Sequence, residues 1–484
     1  MNYYLGVDQG SHASRAVLFD DKGEAVADAS LPVTTKRYGN GYVEHDTGQL
    51  LTSVKQVIQQ VLSALDASQL MRVAACGIAT QRSTMLAWDA GGETLGPALS
   101  WQDVRARQLL DLLRPHEDEI RRLTGLPLTP YYSAAKMNWL LRHSDAVRQH
   151  DRNRLRLSPL ISYLLFHLLR DRPYAIDFSN AQRTQLFELD TLTWCERLLD
   201  LFDIEQAFLP ECRPMCTAYG TLAGVDIPVT AVCGDQNAAM FGVGALGPGE
   251  ALVNIGSGAF VLRELDRCSN NLDQLTGIAY SDNDSVSYMR EATVNGAGNA
   301  LDWAQQEWGI TDLFASLPEW IETVRQPPVF INTVGGLGTP WMRSGPEPRF
   351  LDNRHYSNIE KVIAVIESIV FMLQVNLELM SAEAPLKRLR VSGGLSRLDG
   401  LCQKLSNLSG LEIERNNITE ATARGAAWLA AGRPGSWNDT AADRDTMRRK
   451  FTPLRDENLA SRYRLFKAEM QRIADASQTG RSGS

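Results

Sequence analysis

Cysteine is scarce, with seven residues scattered over 484. An odd, dispersed set does not form a disulfide framework, and the one close pair, Cys212 and Cys216, has neither a second Cys pair nor a nearby His to complete a zinc site. No GxxxxGK[ST] segment exists, which excludes a Walker-type phosphate loop. No basic cluster stands out, and Lys plus Arg at 49 against Asp plus Glu at 57 leaves a net charge of −8, so nucleic acid is not an expected partner. The most apolar stretch read from the sequence, 160–169, is far shorter than the roughly 20 residues of a membrane span, and the first residues carry no basic n-region followed by an apolar run. A soluble chain in the cytoplasm is expected.

What is present suffices for packed cores: 44% hydrophobic, 22% charged and 8% aromatic residues. Residues 5–31 alternate short apolar runs with turn chemistry at 8–11 and 20–23, which predicts consecutive antiparallel strands. Helical spacing at 50–65 and a compact apolar run at 73–78 add a helix and a buried strand. Further helices are expected at 134–142, 160–169 and 195–202, and a strand at 228–233. After the turn Gly247-Pro248-Gly249 the pattern restarts: strand 250–255, a Gly-Ser-Gly turn, strand 259–265, an amphipathic helix at 362–380, strand 389–391 and helix 401–408. The two halves share this order, so two α/β domains of like architecture are expected, 1–245 and 246–476, with a frayed tail at 477–484.

Glycine turns compete for the role of phosphate cradle, since a turn without side chains lets backbone N–H groups converge on an anion. Gly242-Val243-Gly244-Ala245-Leu246-Gly247 fits GxGxxG, yet it follows a helical segment and opens none, so it reads as a decoy. The turns at 8–11 and 256–258 are ordinary hairpins when taken singly. Facing each other across a cleft they would grip a polyphosphate, with Ser11, Ser14 and Arg15 donating from one side and Ser257 from the other. Gly393-Gly394, at a strand-to-helix junction, would let a flat base or ribose approach. Asp235 follows an apolar strand and precedes a helix, a place suited either to chemistry or to capping that helix. Arg82 suits either substrate hydroxyls or a surface ion pair. Trp101, Tyr131 and Phe260 suit either sugar stacking or core packing.

These segments, taken together, resemble the FGGY carbohydrate kinases, and among them the glycerol kinases. The match runs in order through YLGVDQGSHASRAVLFD at 3–19, GYVEHD at 41–46, CGIATQRSTMLAWD at 76–89, SWQD at 100–103, GLPLTPYYSAAKMNWLL at 125–141, DFSNAQRTQLF at 177–187, GDQNAAMFG at 234–242, NIGSGAF at 254–260 and VSGGLSRLDGL at 391–401. The resemblance implies two ribonuclease-H-like domains with an active-site cleft between them, and ATP-dependent phosphorylation of a small polyol or sugar. It implies Asp235 as base and Asp8 with Asp235 at Mg²⁺. Ser11, Ser14, Arg15, Gly256 and Ser257 would lie along the phosphates, with Gly298, Gly393 and Gly394 around the nucleotide. Arg82, Ser83, Trp101, Tyr131, Asp235, Gln236 and Phe260 would surround the acceptor. Ser83 departs from the glycerol-kinase pattern, where Glu follows the Arg, and this points to an acceptor longer than glycerol whose further hydroxyls reach Ser83. A catalytically weak sugar-binding regulator, or an ATPase-like module of the same superfamily, is the alternative function. Its mark would be loss of the base, and both Asp8 and Asp235 are retained. Self-association is compatible with the sequence.

Overall fold

The structure is a computed structural model that describes residues 2–269, 273–343, 345–415, 420–437 and 449–479. Its first large sheet is built from β1 (Tyr3–Gln9), β2 (Ala13–Phe19), β3 (Ala25–Pro32), β4 (Val73–Thr80), β5 (Cys216–Thr221) and β6 (Pro228–Gly234), in the spatial order β5-β6-β4-β1-β2-β3. The opening hairpins are antiparallel, while β4 and β6 run parallel to β1. The second sheet contains β7 (Glu250–Ile255), β8 (Ala259–Leu265), β9 (Leu275–Ser281), β10 (Val286–Val294), β11 (Arg388–Ser392), β12 (Glu412–Arg415) and β13 (Arg449–Phe451), in the order β9-β10-β8-β7-β11-β12-β13. Here β7, β8, β10 and β9 pair antiparallel in turn, β11 and β12 run parallel to β7 and to each other, and β13 closes the edge antiparallel to β12. The inner order β3-β2-β1-β4-β6 therefore recurs as β10-β8-β7-β11-β12, the internal similarity expected from the strand-turn-strand repeats.

Six helices position the site: α1 (Thr47–Ser63), α2 (Ser133–His143), α3 (Asp235–Gly242), α4 (Gly298–Glu307), α5 (Asn358–Glu383) and α6 (Ala421–Ala430). A further helix, α7 (Glu457–Thr479), closes the described chain. The expected frayed tail thus begins with three residues that continue α7, and 480–484 lie outside the described residues.

Two expectations are corrected here. The longest apolar segment is α5 and not 160–169: it is long and apolar enough to cross a membrane by length and composition, and 89% of its most apolar window is buried inside the protein. Nor is α5 amphipathic, since every residue from Val362 to Leu377 is buried. The second sheet, α7 and the helix Asp399–Ser409 enclose it, so it has no solvent face. Its one acidic side chain there, Glu367, is fully buried and accepts from Lys404 Nζ at 2.8 Å and from Arg462 Nε at 2.6 Å. A Ser357–Glu360 capping box fixes its start.

Helix α6 crosses from the second half of the chain onto the first sheet, where Ala423, Ala426, Ala427 and Trp428 join the first core. Its small residues permit this. A Cβ on Gly77 of β4 would lie 2.0 Å from the Ala426 carbonyl oxygen, and a Cβ on Gly425 would lie 1.8 Å from that of Ala238 in α3. The GxGxxG run has the same use, since a Cβ on Gly242 would lie 2.0 Å from Ala421 O. Its first glycine is a helix-packing position, not a phosphate cradle.

Candidate active site

Parallel neighbours end on the same edge of a sheet, and here β1, β4 and β6 finish in register, with Gln9 and Gly234 both opposite Thr80. That brings Asp8, Arg82 and Asp235 together. The end of β6 is held from below: buried Asp177 accepts from the Ser179 hydroxyl and from Asn180 N and Nδ2, and Ser179 Oγ accepts from Gly234 N at 2.9 Å, one residue before Asp235. Asp235 begins α3, where its carboxylate also faces the positive helix terminus.

Charges of both signs crowd this edge of the sheet. Asp8 is 8% exposed, and burial, reinforced by the charge of Asp235, pushes its carboxyl up to about 7. Arg15, at 3.9 Å, opposes this only in part, because it is shared with Glu420 at 3.5 Å. Burial also raises Asp235, while Arg82 Nε at 3.6 Å pulls it back. Arg82 is meanwhile forked onto Glu291 of β10, donating at 2.9 and 3.1 Å, and Arg183 donates to the same carboxylate at 2.6 Å. Burial works to raise Glu291, but the two guanidinium groups overcome it and hold the carboxyl down at about 2. This buried Arg-Glu-Arg cluster joins the second sheet to the first.

The phosphate-turn candidate Ser11 and the acceptor candidate Trp101 meet directly. Trp101 Nε1 donates to Ser11 Oγ at 3.0 Å, and Ser11 Oγ donates to Gln81 Oε1 at 2.9 Å. Trp101 and Tyr131 are 37% and 39% exposed, so neither is a core residue. Gln236 Oε1 is buried and, among the described residues, has no hydrogen-bond partner, and Phe260 is half-buried on β8. Ser14 is not brought to the cleft: its alternation on β2 turns it away from Arg15, and its fully buried hydroxyl lies 2.7 Å from Ser53 Oγ of α1. Ser83 also faces inward, 5% exposed with φ 64°, and donates to Arg183 O at 3.1 Å. Its hydroxyl is engaged with backbone, contrary to the expectation that acceptor hydroxyls reach it.

In the second half, the Gly256-Ser257-Gly258 turn docks on the start of α4. Gly298 N donates to Gly256 O at 3.0 Å and Asn299 N to Ser257 O at 2.9 Å, so these two amides are used within the protein. A Cβ on Gly298 would lie 2.8 Å from Gly256 O, which is why the position is glycine. Gly393 has φ 90° and sits where a Cβ would lie 2.5 Å from Asn254 Oδ1, whereas Gly394 has nothing within 4 Å and leaves an open surface beside the turn.

Sequence reasoning missed Glu291, Arg183, Gln81 and Lys136. Gln81 and Arg183 sit inside motifs that were recognised, and Glu291 has no local signal: its partners Arg82 and Arg183 are 209 and 108 residues away. Among the described residues no group of three or more His, Cys, Asp or Glu side chains is placed to hold a metal unaided.

Comparison with known proteins agrees with this architecture. Residues 3–242 match the FGGY family of carbohydrate kinases, N-terminal domain, and residues 251–432 its C-terminal domain. The glycerol kinase of Shewanella frigidimarina is 33% identical over 99% of both chains, and that of Thermus thermophilus is 32% identical over 94% of this chain and 95% of its own. Among solved structures, Plasmodium falciparum glycerol kinase with ADP superposes with a TM-score of 0.88 at 24% identity, covering 98% of each chain. A ligand-bound xylulose kinase from Lactobacillus acidophilus gives 0.86 at 20% identity, covering 98% of this chain and 99% of its own. The chain belongs to the FGGY family of carbohydrate kinases and is a kinase whose acceptor is an alcohol group.

Proposed function

We propose that the chain transfers the γ-phosphoryl group of ATP to one hydroxyl of a small polyol or sugar, with Asp235 as general base. The observation that carries this reading is the meeting of Asp235, Asp8 and Arg82 at one edge of the first sheet. Phosphoryl transfer needs positioning and charge neutralisation more than covalent help from the protein. Asp235 is biased toward holding a proton by its burial, so it is suited to accept one from the attacking hydroxyl as the new O–P bond forms. Arg82, fixed by Glu291, orients the acceptor. Trp101, Tyr131, Gln236 and Phe260 surround it. Ser11 and Arg15 lie along the phosphates from the first half, with the Arg15 guanidinium supplying the charge, and Gly256 and Ser257 lie along them from the second. Gly393 and Gly394 leave room for the nucleoside.

A divalent cation fits the donor set: two carboxylates that repel each other, buried Asp8 and half-buried Asp235, offer hard oxygen ligands, of which Mg²⁺ takes one or two with substrate phosphates completing its shell. When bound it supplies charge neutralisation of the transferring phosphoryl group.

The acceptor class follows from position 83. With Ser there, the pocket lacks the carboxylate expected in glycerol kinases, and Glu291 does not replace it, because both its oxygens are taken by Arg82 and Arg183 and it is 1% exposed. An acceptor longer than glycerol, bound without that carboxylate and by groups other than the Ser83 hydroxyl, which is engaged with Arg183 O, is the reading this favours. The test is ADP release from the wild-type enzyme with ATP and Mg²⁺ across a panel of polyols, aldoses and ketoses. Release dependent on an acceptor longer than glycerol supports the reading. Preference for glycerol over the whole panel overturns the argument from Ser83, and equal release with no acceptor overturns the kinase mechanism.

A further inference from the structure

Lys136 is fully buried in the first turn of α2 and, among the described residues, has no carboxylate within hydrogen-bond reach. The nearest acidic group, Asp103, is occupied by Val43 N at 2.6 Å and by Arg105 at 2.8 and 2.9 Å. Lys136 Nζ instead donates to two main-chain carbonyls, Ser100 O at 3.0 Å and Tyr131 O at 2.8 Å. Burial pulls the Lys136 ammonium down to about 7, with Asp103 opposing this only in part, and an apolar side chain of the same length would fill the site more cheaply. Stability alone is therefore a poor account of a lysine here.

The two carbonyls belong to the segments that carry Trp101 and Tyr131. The rest of the first turn of α2 grips the same pocket: Ser133 Oγ donates to Ser83 O at 3.2 Å, and Ala134 N donates to Thr184 O at 2.8 Å, next to Arg183. Trp101 is fixed at two further points, its backbone N donating to Thr84 Oγ1 at 3.0 Å and its indole to Ser11 Oγ at 3.0 Å. One helical turn thus ties three separate segments to the stretch that leads into α2, and the Lys136 side chain is the only link in it between the Trp101 and Tyr131 segments among the described hydrogen bonds.

We propose that Lys136 is a positioning residue of the acceptor site, setting the separation of Trp101 and Tyr131 and through it the affinity for the acceptor. This rests on the reading that those two aromatics form the acceptor rim. Lys136→Met keeps length and removes the donors; two buried hydrogen bonds are lost, so the acceptor KM should rise roughly tenfold or more, with the ATP KM within about twofold of wild type. Glycerol and xylulose serve as acceptor probes, with ADP release as the readout. Hydrogen exchange gives a measure independent of acceptor identity: protection should fall at 100–103 and 127–132 and stay unchanged in β1 and β4. Lys136→Gln, which retains one donor, should give an intermediate result and covers the case in which the Met variant does not fold.

A KM for ATP that rises in step with that for the acceptor, or exchange that increases across the whole first sheet, would show a merely structural lysine. Trp101→Ala and Tyr131→Ala separate the two levels of the argument. If both leave the acceptor KM unchanged, the rim reading fails. If both raise it while Lys136→Met does not, only the role of Lys136 fails.

Discussion

Replacing Glu291 by Gln removes one negative charge from between Arg82 and Arg183 while keeping the side-chain volume. Glu291 is 1% exposed, and the arginine side chains are 9% and 4% exposed, so water cannot take over the lost interaction. Removing one partner of a buried ion pair costs about 3–5 kcal/mol. The drop of the carboxyl from 4.5 to about 2 corresponds to roughly 3 kcal/mol, in agreement with the lower end. For domains of this size that lowers Tm by roughly 6–12 °C. The sign of the pH dependence follows from the depressed value: the contribution is fully present above the unfolded carboxyl's 4.5 and is lost as pH falls toward about 2. Thermal unfolding of wild type and Glu291→Gln should therefore differ most at neutral pH and converge below about 4.5. Turnover should also fall, because Arg82, released from Glu291, can close on Asp235, now 3.6 Å away. A variant as stable as wild type at neutral pH, or a difference that does not narrow on acidification, would refute the assignment of Glu291 as the charged clamp of the site.

Further expectations concern single positions. Gly393→Ala should destabilise the protein, since its Cβ would lie 2.5 Å from Asn254 Oδ1 at a positive φ, whereas Gly394→Ala should unfold like wild type and raise the ATP KM; equal unfolding of both variants would contradict the geometry. Ser83→Glu should shift relative kcat/KM toward glycerol and away from longer acceptors, and should lower Tm because the residue is buried with φ 64°; an unchanged acceptor ranking would remove position 83 from the specificity argument. Ser14→Ala should cost about 1 kcal/mol of stability through the lost Ser53 contact and leave the ATP KM unchanged, and a raised ATP KM would return Ser14 to the phosphate site.

The parts of this site visible in the sequence are those written locally. Strands β1, β2, β4, β6, β7, β8 and β11 and their turns announce themselves by short apolar runs ending in glycine or polar residues, so the positions of Asp8, Arg82, Asp235 and the paired glycine turns could be placed. Ser14 looks like a phosphate donor because its hydroxyl lies near a turn, while the two-residue period of β2 turns it toward Ser53 of α1. Position 83 carries no local sign that its hydroxyl is engaged, because the bond to Arg183 O depends on a segment 100 residues away. Helix α6 escaped notice because its alanines and glycines lack a large apolar stripe, and that smallness is what lets it press against β4 and α3. The amphipathic reading of α5 failed because helices from later in the chain cover the face that would otherwise meet water. Glu291 is the extreme case, a lone acid in a strand whose meaning appears only when two distant arginines fold onto it.

The most direct test of the central claim is the turnover of Asp235→Asn, which preserves size and hydrogen-bonding reach but removes the proton acceptor. With ATP, Mg²⁺ and the best acceptor, kcat should fall by at least roughly 10²-fold while ATP binding, measured by calorimetry, is retained. Near-normal turnover in this variant would contradict Asp235 as the base and with it the mechanism built on the meeting of Asp8, Arg82 and Asp235.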